Sequence, residues 1–131
     1  MRRLSSALAP LALAACAGAD AGPETAAMDH VPAATPIGEA RSCVPITQIR
    51  ESRVRSDQVI DFVMRGGEAY RVTLPRRCPQ LGFEQRFAYT TSLSQLCRQD
   101  IITVLYQAPN LQRGASCGLA PFQPVRLAER R

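Results

Sequence analysis

Five cysteines limit the folds that this chain of 131 residues can adopt, and Cys16 stands apart from the other four. It ends an N-terminal segment in which Arg2 and Arg3 precede an apolar run of about a dozen residues, as in a secretory signal peptide. That run is shorter than the roughly 20 residues that a membrane-spanning helix needs. Residues 1–15 are therefore predicted to be an export signal, and the chain after them to fold in an oxidising compartment.

The residues before Cys16 read Leu13-Ala14-Ala15, and together these four resemble the bacterial lipobox, Leu-x-x-Cys. The resemblance implies that Cys16 is the lipid attachment site, acylated on sulfur and on its new amino group, with palmitate among the acyl groups. Several acyl chains hold a protein on a membrane stably, whereas a single chain binds only marginally. Ala17 stands where an aspartate retains Gram-negative lipoproteins at the inner membrane, which favours the periplasmic face of the outer membrane. The alternative is an ordinary cleaved signal with an incidental cysteine.

The four remaining cysteines are an even number in an exported chain, which predicts two disulfides. Their spacing leaves three pairings open. The favoured one joins Cys78 to Cys97, which flank one compact segment, and Cys43 to Cys117, near the two ends of the domain. A zinc site is the alternative, but its cysteines commonly lie roughly two to four residues apart, much closer than these. Each bridge is expected to contribute roughly 2–4 kcal/mol to a small domain.

The chain divides into a leader, a linker and one small domain. Residues 16–40 are predicted to be a lipidated N-terminus followed by a flexible linker, because prolines, alanines and glycines occur there without apolar periodicity. Fully extended, residues 17–40 reach about 80 Å. The single histidine, His30, falls in this linker and is expected to be solvated. The folded domain is predicted over residues 41–131.

The clearest secondary structure is a β-hairpin. Residues 59–64 predict a strand rich in β-forming residues. Ile60, Phe62 and Met64 would share one face, and Val59, Asp61 and Val63 the other. Gly66-Gly67 follows, and glycine permits the positive φ angles of a tight hairpin turn. Residues 70–74 then alternate between apolar and polar side chains, which predicts the return strand.

The rest of the domain shows shorter β patterns. The sequence therefore predicts a mainly β fold: a small antiparallel sheet or partly open barrel of five or six strands, with at most one short helix and two disulfides. Further strands are expected at residues 46–54, 87–91, 101–107 and around Phe122 and Val125, with one or two helical turns within 92–99, a loop at 108–116 and a frayed tail at 126–131.

The charge of the chain is modest. All 16 basic residues are arginine, and removal of Arg2 and Arg3 with the signal leaves a net charge of about +3. That charge is too small to indicate nucleic-acid binding, and an exported protein rarely meets nucleic acid. The predicted partners are the membrane, through the N-terminal lipid, and an anionic envelope polymer or an envelope protein.

The predicted domain offers few groups for catalysis. Nucleophilic catalysis usually needs a positioned base, most often histidine, and the domain contains none. Bridged cysteines are not nucleophiles, and no phosphate-binding loop or closely spaced redox cysteine pair occurs. No catalytic residue, cofactor or metal is predicted. A small carboxylate-dependent enzyme would have to use Glu51, Asp57, Asp61 or Glu84, which are expected instead to be solvated surface acids and turn residues.

Arg76 and Arg77 are the candidate anion-binding residues. They precede Cys78 in a loop that lies between Pro75 and Pro79. Guanidinium groups suit phosphates and carboxylates, which lipid A and peptidoglycan supply in the envelope. The alternative is that these arginines only solubilise the β surface and pair with nearby acids.

The residues from Cys43 to Val125 resemble a family of proteobacterial lipoproteins of unknown function, the domain of unknown function numbered 6491. This resemblance covers about two-thirds of the chain. It agrees with the lipoprotein and disulfide predictions and brings no activity, ligand or catalytic residue. The matching features are Cys43, the 50–64 strand region, Gly66-Gly67, Tyr70, the 74–79 segment Leu-Pro-Arg-Arg-Cys-Pro, Leu96-Cys97, Asp100, Cys117-Gly118-Leu119, Phe122 and Pro124.

The sequence thus predicts a non-enzymatic binding or assembly module of the cell envelope. The absence of histidine from the domain and its small size favour this hypothesis over a carboxylate-dependent enzyme. A further alternative is an accessory subunit or inhibitor of a larger envelope enzyme. Such a protein would pair with a partner strand through an exposed sheet edge, expected at residues 59–64 or 101–107.

Overall fold

The structure of the chain is a computed structural model that describes residues 31–91, 93–107 and 109–128. In those ranges, ten strands and one turn of α-helix are connected by short loops. The strands are β1 (Ala34–Pro36), β2 (Cys43–Pro45), β3 (Ile49–Val54), β4 (Val59–Met64), β5 (Ala69–Thr73), β6 (Phe87–Tyr89), β7 (Gln95–Cys97), β8 (Ile101–Tyr106), β9 (Gln112–Gly118) and β10 (Gln123–Leu127); the helix α1 is Leu81–Glu84, and a 3₁₀ turn covers Ile46–Gln48.

Three antiparallel sheets form, with the strand orders β1-β10-β5-β4-β3, β6-β8-β9 and β2-β7. The predicted fold class, mainly β with antiparallel pairing and one short helix, is confirmed. The structure has more strands than the predicted five or six. β1, β2 and β7 contain three residues each, too few to leave an alternating pattern, and β9 lies largely in a segment predicted to be a loop. Across the described ranges the sheets are open and do not close into a barrel.

The predicted hairpin is confirmed and lies inside the five-stranded sheet. All six residues of β4 are buried, the charged Asp61 among them, so both faces of this strand are covered by the rest of the domain. Ile60 pairs with Val72 and Phe62 with Tyr70 in the ladder between β4 and β5. Gly67 has a φ angle of +90° in the turn, a conformation that side chains other than glycine rarely adopt.

The three sheets share one hydrophobic core. Its centre is the ring of Phe62, whose centroid lies 5.5 Å from that of Phe122 and 6.3 Å from that of Phe87. Leu96 from the two-stranded sheet and Ile102 from the three-stranded sheet are fully buried in the same cluster. Each such side chain contributes roughly 1.5–3 kcal/mol on burial, so the small sheets are stabilised by packing against the large one.

The linker boundary predicted at residue 40 is wrong, because β1 belongs to the five-stranded sheet. Ala34 pairs with Leu127, and the Ile37 N–H donates a 3.0 Å hydrogen bond to the Pro124 carbonyl. A three-residue strand containing proline has no apolar periodicity to detect. It forms here because the outer side of β10 presents backbone groups that it can bond.

Residues 1–30 lie outside the described residues, and so do residues 129–131. The predicted signal segment, the lipid attachment at Cys16 and the solvated His30 all fall there. These assignments therefore stay predictions.

The loop predicted at residues 108–116 is largely a strand. β9 contains two glycines and an alanine, which are depleted in strands, and it forms because it pairs along β8. Gly114 is needed at this pairing, since a Cβ atom there would lie 2.8 Å from the Tyr106 ring. The helical turn predicted within 92–99 is also wrong: β7 occupies Gln95–Cys97, and the helix is α1.

Both disulfides form, but the favoured pairing of the cysteines is wrong. Cys43 bonds to Cys97 and Cys78 bonds to Cys117. The first pair lies directly opposite across the ladder of β2 and β7, with the Cα atoms 4.0 Å apart. The second joins the loop after β5 to β9. Spacing along the chain does not reveal which strands lie side by side, so it could not select these partners.

Candidate functional site

The loop that carries Arg76 and Arg77 is held at both sides. It leaves β5 and leads to α1, and both arginines are exposed. The Cys78 N–H donates a 2.7 Å hydrogen bond to the backbone carbonyl of Asp57. The disulfide to Cys117 then ties the same residue to β9. The arginines are therefore presented on a segment whose position is set by two different parts of the fold.

Asp57 neutralises one of the two arginines. Its Oδ2 accepts a 2.8 Å hydrogen bond from Arg77 Nε, and its Oδ1 accepts one of 2.7 Å from the backbone N–H of Gly82. A Cβ atom at Gly82 would lie 3.0 Å from the Asp57 nitrogen, so glycine allows α1 to approach this close. Among the residues that the structure describes, Arg76 has no carboxylate partner.

A surface cavity of about 440 Å³ opens beside the two arginines. One wall is the 75–79 loop, and the other is the end of β9. The predicted anion-binding residues thus lie next to β9, a strand that the sequence had largely predicted to be a loop. Its lining residues are Pro75, Arg76, Arg77, Pro79, Ala115, Ser116, Cys117 and Gly118.

β9 is the outer strand of its sheet, and its free edge faces solvent at Ser116 and Gly118, which are exposed. The Leu119 N–H donates to the Asp100 carbonyl at 3.0 Å. In an antiparallel ladder, successive residues turn their backbone N–H and C=O groups alternately toward the partner strand and away from it. Because the backbone N–H of Leu119 points toward the partner side, the backbone groups of Gly118 and Ser116 point away from β8. Within the described ranges, no other strand pairs with β9 on that side.

The edges expected at residues 59–64 and 101–107 are both wrong. β4 lies between β3 and β5, and β8 lies between β6 and β9. Strong β patterns come from strands that are buried and paired on both sides, which is why the most visible strands in the sequence are central ones. The outer strands of the two larger sheets are β1, β3, β6 and β9.

Asp61, one of the candidate catalytic carboxylates, is the fully buried centre of an ion triad. Arg71 binds both of its oxygens, through Nε at 2.8 Å and Nη2 at 3.0 Å, and Arg55 Nε donates to Oδ2 at 2.9 Å. Arg71 Nη2 also donates to the carbonyl of Pro32 at 2.8 Å, which ties the segment before β1 to the sheet. A carboxylate held in this way is structural, because its oxygens are engaged and water does not reach it.

The other candidate carboxylates are also engaged. Glu51 forms an ion pair with Arg53 on the same strand, and Glu84 Oε2 accepts a 3.3 Å hydrogen bond from the Gln107 N–H. The structure thus does not bring the four predicted carboxylates together around one cavity.

Sequence reasoning missed a different pair of acids, Glu39 and Glu68, which line a cavity of about 790 Å³ together with Arg41 and Tyr70. Glu39 had been assigned to the linker, so the pair was not visible before β1 was placed. Both glutamates are exposed.

Within residues 31–91, 93–107 and 109–128, no three histidine, cysteine, aspartate or glutamate side chains lie close enough together to hold a metal ion. The helices of that same part of the chain are all too short to span a membrane.

No family model matches the sequence, and no curated protein or solved structure matches it.

Proposed function

We propose that this chain is a bacterial cell-envelope lipoprotein whose domain acts without catalysis, as a binding or assembly module. Lipid on Cys16 holds it at the periplasmic face of the outer membrane. The observation that carries the proposal is the 75–79 loop, which presents an exposed arginine beside a cavity and is held by both Asp57 and a disulfide. Holding a cation in place before the ligand arrives reduces the entropic cost of binding.

Membership of the proteobacterial family of unknown function is part of the same proposal. Its support is the set of four cysteines on which the resemblance rests, all of which form disulfides. Disulfides of this kind are typical of proteins that fold outside the cytoplasm.

The lipid anchor and the disulfides are tested by intact mass. The protein is extracted from membranes and measured without reduction, then again after reduction and alkylation. We expect the mass of a chain that begins at acylated Cys16, with four thiols that become alkylated only after reduction. A Cys16→Ser variant should lose the lipid mass. A wild-type chain without lipid, or with four thiols reactive from the start, would overturn the proposed anchor or compartment.

The anion site is tested by co-sedimentation with lipopolysaccharide and with peptidoglycan. We expect Arg76→Gln to lower binding more than Arg77→Gln, because Asp57 already neutralises Arg77. Arg98→Gln is the matched control, an exposed arginine that does not line this cavity. Equal binding by all three variants and the wild type would exclude this loop as the polymer site.

A second candidate is an accessory subunit or inhibitor of an envelope enzyme. The observation that favours it is the exposed outer edge of β9, because a partner strand can add to an open edge. The carboxylate-dependent enzyme has less support, since Asp61 is enclosed by two arginines and Asp57 is bound by Arg77 and Gly82.

A further inference from the structure

We propose that the end of β9 and Arg76 together form a docking site for an extended peptide segment of another envelope protein, and that this segment carries a carboxylate. The segment adds to β9 as an extra strand, and its carboxylate binds the Arg76 guanidinium. This inference rests on the proposed binding function and specifies the partner that the module binds.

The backbone of β9 suits an added peptide strand. The outward N–H and C=O groups of Ser116 and Gly118 are a row of donors and acceptors spaced for a β-ladder. A peptide in extended conformation satisfies such a row, whereas a glycan or a lipid headgroup does not repeat at that spacing. The backbone therefore favours a peptide over a polymer as the occupant.

The length and composition of the β9 edge also suit an added strand. β9 has seven residues and no proline, whereas β1 and β6, two of the other outer strands, have three residues each. A ladder irregularity falls between the pairs at Thr103 and Leu105, and the segment 116–118 lies beyond it in regular register. Residues 114–118 are all small, so side chains do not obstruct a strand that approaches along this edge.

The shape of the cavity also suits an extended peptide segment. Four consecutive residues, 115–118, line it on one side, so the cavity follows the strand and is not confined to a single point. The 75–79 loop forms the facing wall. Neighbouring strands of a sheet lie about 4.8 Å apart, and the open volume of about 440 Å³ leaves room for a few residues of added chain.

The positive charge at the cavity favours a segment that carries a carboxylate. Arg76 lines the cavity and is exposed, Arg113 is exposed on β9 itself, and Arg77 is neutralised by Asp57. No acidic side chain lines this cavity among the described residues. An arriving segment therefore meets a positive site, and a carboxylate is the group that a peptide offers to a guanidinium fork.

The test uses the mature chain and a fluorescein-labelled heptapeptide of alternating threonine and valine with one central glutamate. Two matched peptides are measured by anisotropy beside it: one with glutamine in place of glutamate, and one N-methylated on the backbone nitrogens of its five central residues. We expect N-methylation to weaken binding about tenfold or more, because it removes the ladder donors. Amide exchange should slow at Ser116 and Gly118 in the complex but not at Ser52 on β3.

The contribution of the arginine is measured by a double-mutant cycle. Arg76→Gln should weaken binding of the glutamate peptide by about fivefold and leave the glutamine peptide unchanged, as for an exposed ion pair. Arg98→Gln should change neither peptide. These variants replace exposed side chains, so far-UV circular dichroism should match that of the wild type.

Three results would overturn the docking site. The first is binding of the N-methylated peptide as tight as that of its parent, and the second is no binding of the heptapeptide. The third is a loss of polymer co-sedimentation in Arg76→Gln with unchanged peptide affinity. Any of these leaves the proposed binding module in place if polymer binding persists. Loss of the lipid anchor in the mass measurement would instead remove the proposed function itself, so the two failures are distinguishable.

Discussion

The outer strands β3 and β9 are the two longest open edges of the described chain, and they are built in opposite ways. β3 carries charges at Arg50, Glu51 and Arg53, and its register shifts beside Arg50. Charges and bulges are devices by which proteins block pairing along a free edge. β9 also has a register shift, between Arg113 and Ser116, but it carries a single charged residue, Arg113, and its residues 114–118 are small, with 116–118 in regular register. The difference indicates that one edge is protected against strand addition and the other is left accessible.

The two edges also differ in what holds them to the domain. β3 is tied to its neighbour by side chains, since Arg55 at its end binds the buried Asp61 of β4. β9 is tied to the rest of the fold by a covalent bond, Cys78–Cys117, to the loop that faces its edge across a cavity. Variants that remove each of these ties test the comparison, beginning with the largest expected effect.

Replacing Asp61 with Ala removes the support of β3. Arg55 and Arg71 would keep their partly buried charges without a counter-ion, and breaking such a pair costs about 3–5 kcal/mol. Urea unfolding followed by circular dichroism measures the free energy of unfolding. Glu51→Ala is the control on the same sheet, where an exposed ion pair contributes less than about 1 kcal/mol. Equal losses in the two variants would contradict the role assigned to the triad.

Removing the disulfides one at a time separates stability from binding. The double variant Cys78→Ser/Cys117→Ser and the double variant Cys43→Ser/Cys97→Ser should each lose about 2–4 kcal/mol, because the closed loops span similar separations of 39 and 54 residues. Only the first should weaken binding of the glutamate heptapeptide, since it releases the loop facing β9. Both quantities are measured on the same preparations. A loss of peptide binding in both variants would show that global stability, not the loop, controls the site.

Replacing Asp57 with Asn should act in two directions. The amide oxygen can still accept the Gly82 N–H, but the charge that holds Arg77 is lost, so stability should fall by about 1 kcal/mol. The affinity for the glutamate peptide should rise about twofold to fivefold, because Arg77 becomes a second cation at the cavity. Anisotropy at low and high salt measures this gain, which should shrink as salt screens the charges. An unchanged affinity at low salt would mean that Arg77 does not reach the bound peptide.

Replacing Arg53 with Gln should have the smallest effect. It removes one exposed guanidinium from the β3 edge and leaves the register shift beside Arg50 in place. Stability should change by less than about 1 kcal/mol, and the heptapeptide should not bind at β3. Amide exchange at Ser52 with and without peptide provides the measurement. Protection of Ser52 in this variant would show that the charge, rather than the irregular register, blocks the edge.

The parts of the fold that were predicted correctly depend on neighbours in the chain. Alternation in β4 and β5 and a glycine pair between them specify a hairpin, whose short loop closes at low entropic cost. The even number of cysteines after Cys16 indicated two disulfides without any knowledge of the fold. The prolines around Arg76 and Arg77 correctly predicted an irregular loop, and the anion site proposed there stays a prediction.

The sequence by itself therefore determined the antiparallel β class, the central hairpin, the presence of two disulfides and the position of Arg76 and Arg77 in a loop. Only the tertiary structure decided that β1 belongs to the sheet, that β9 is a strand, which cysteines pair and which acid neutralises Arg77. The physical reason is the same in each case. These features depend on contacts between segments far apart in the chain, such as Asp57 with Arg77 and β9 with the 75–79 loop, and local pattern carries no information about which distant segment will lie alongside.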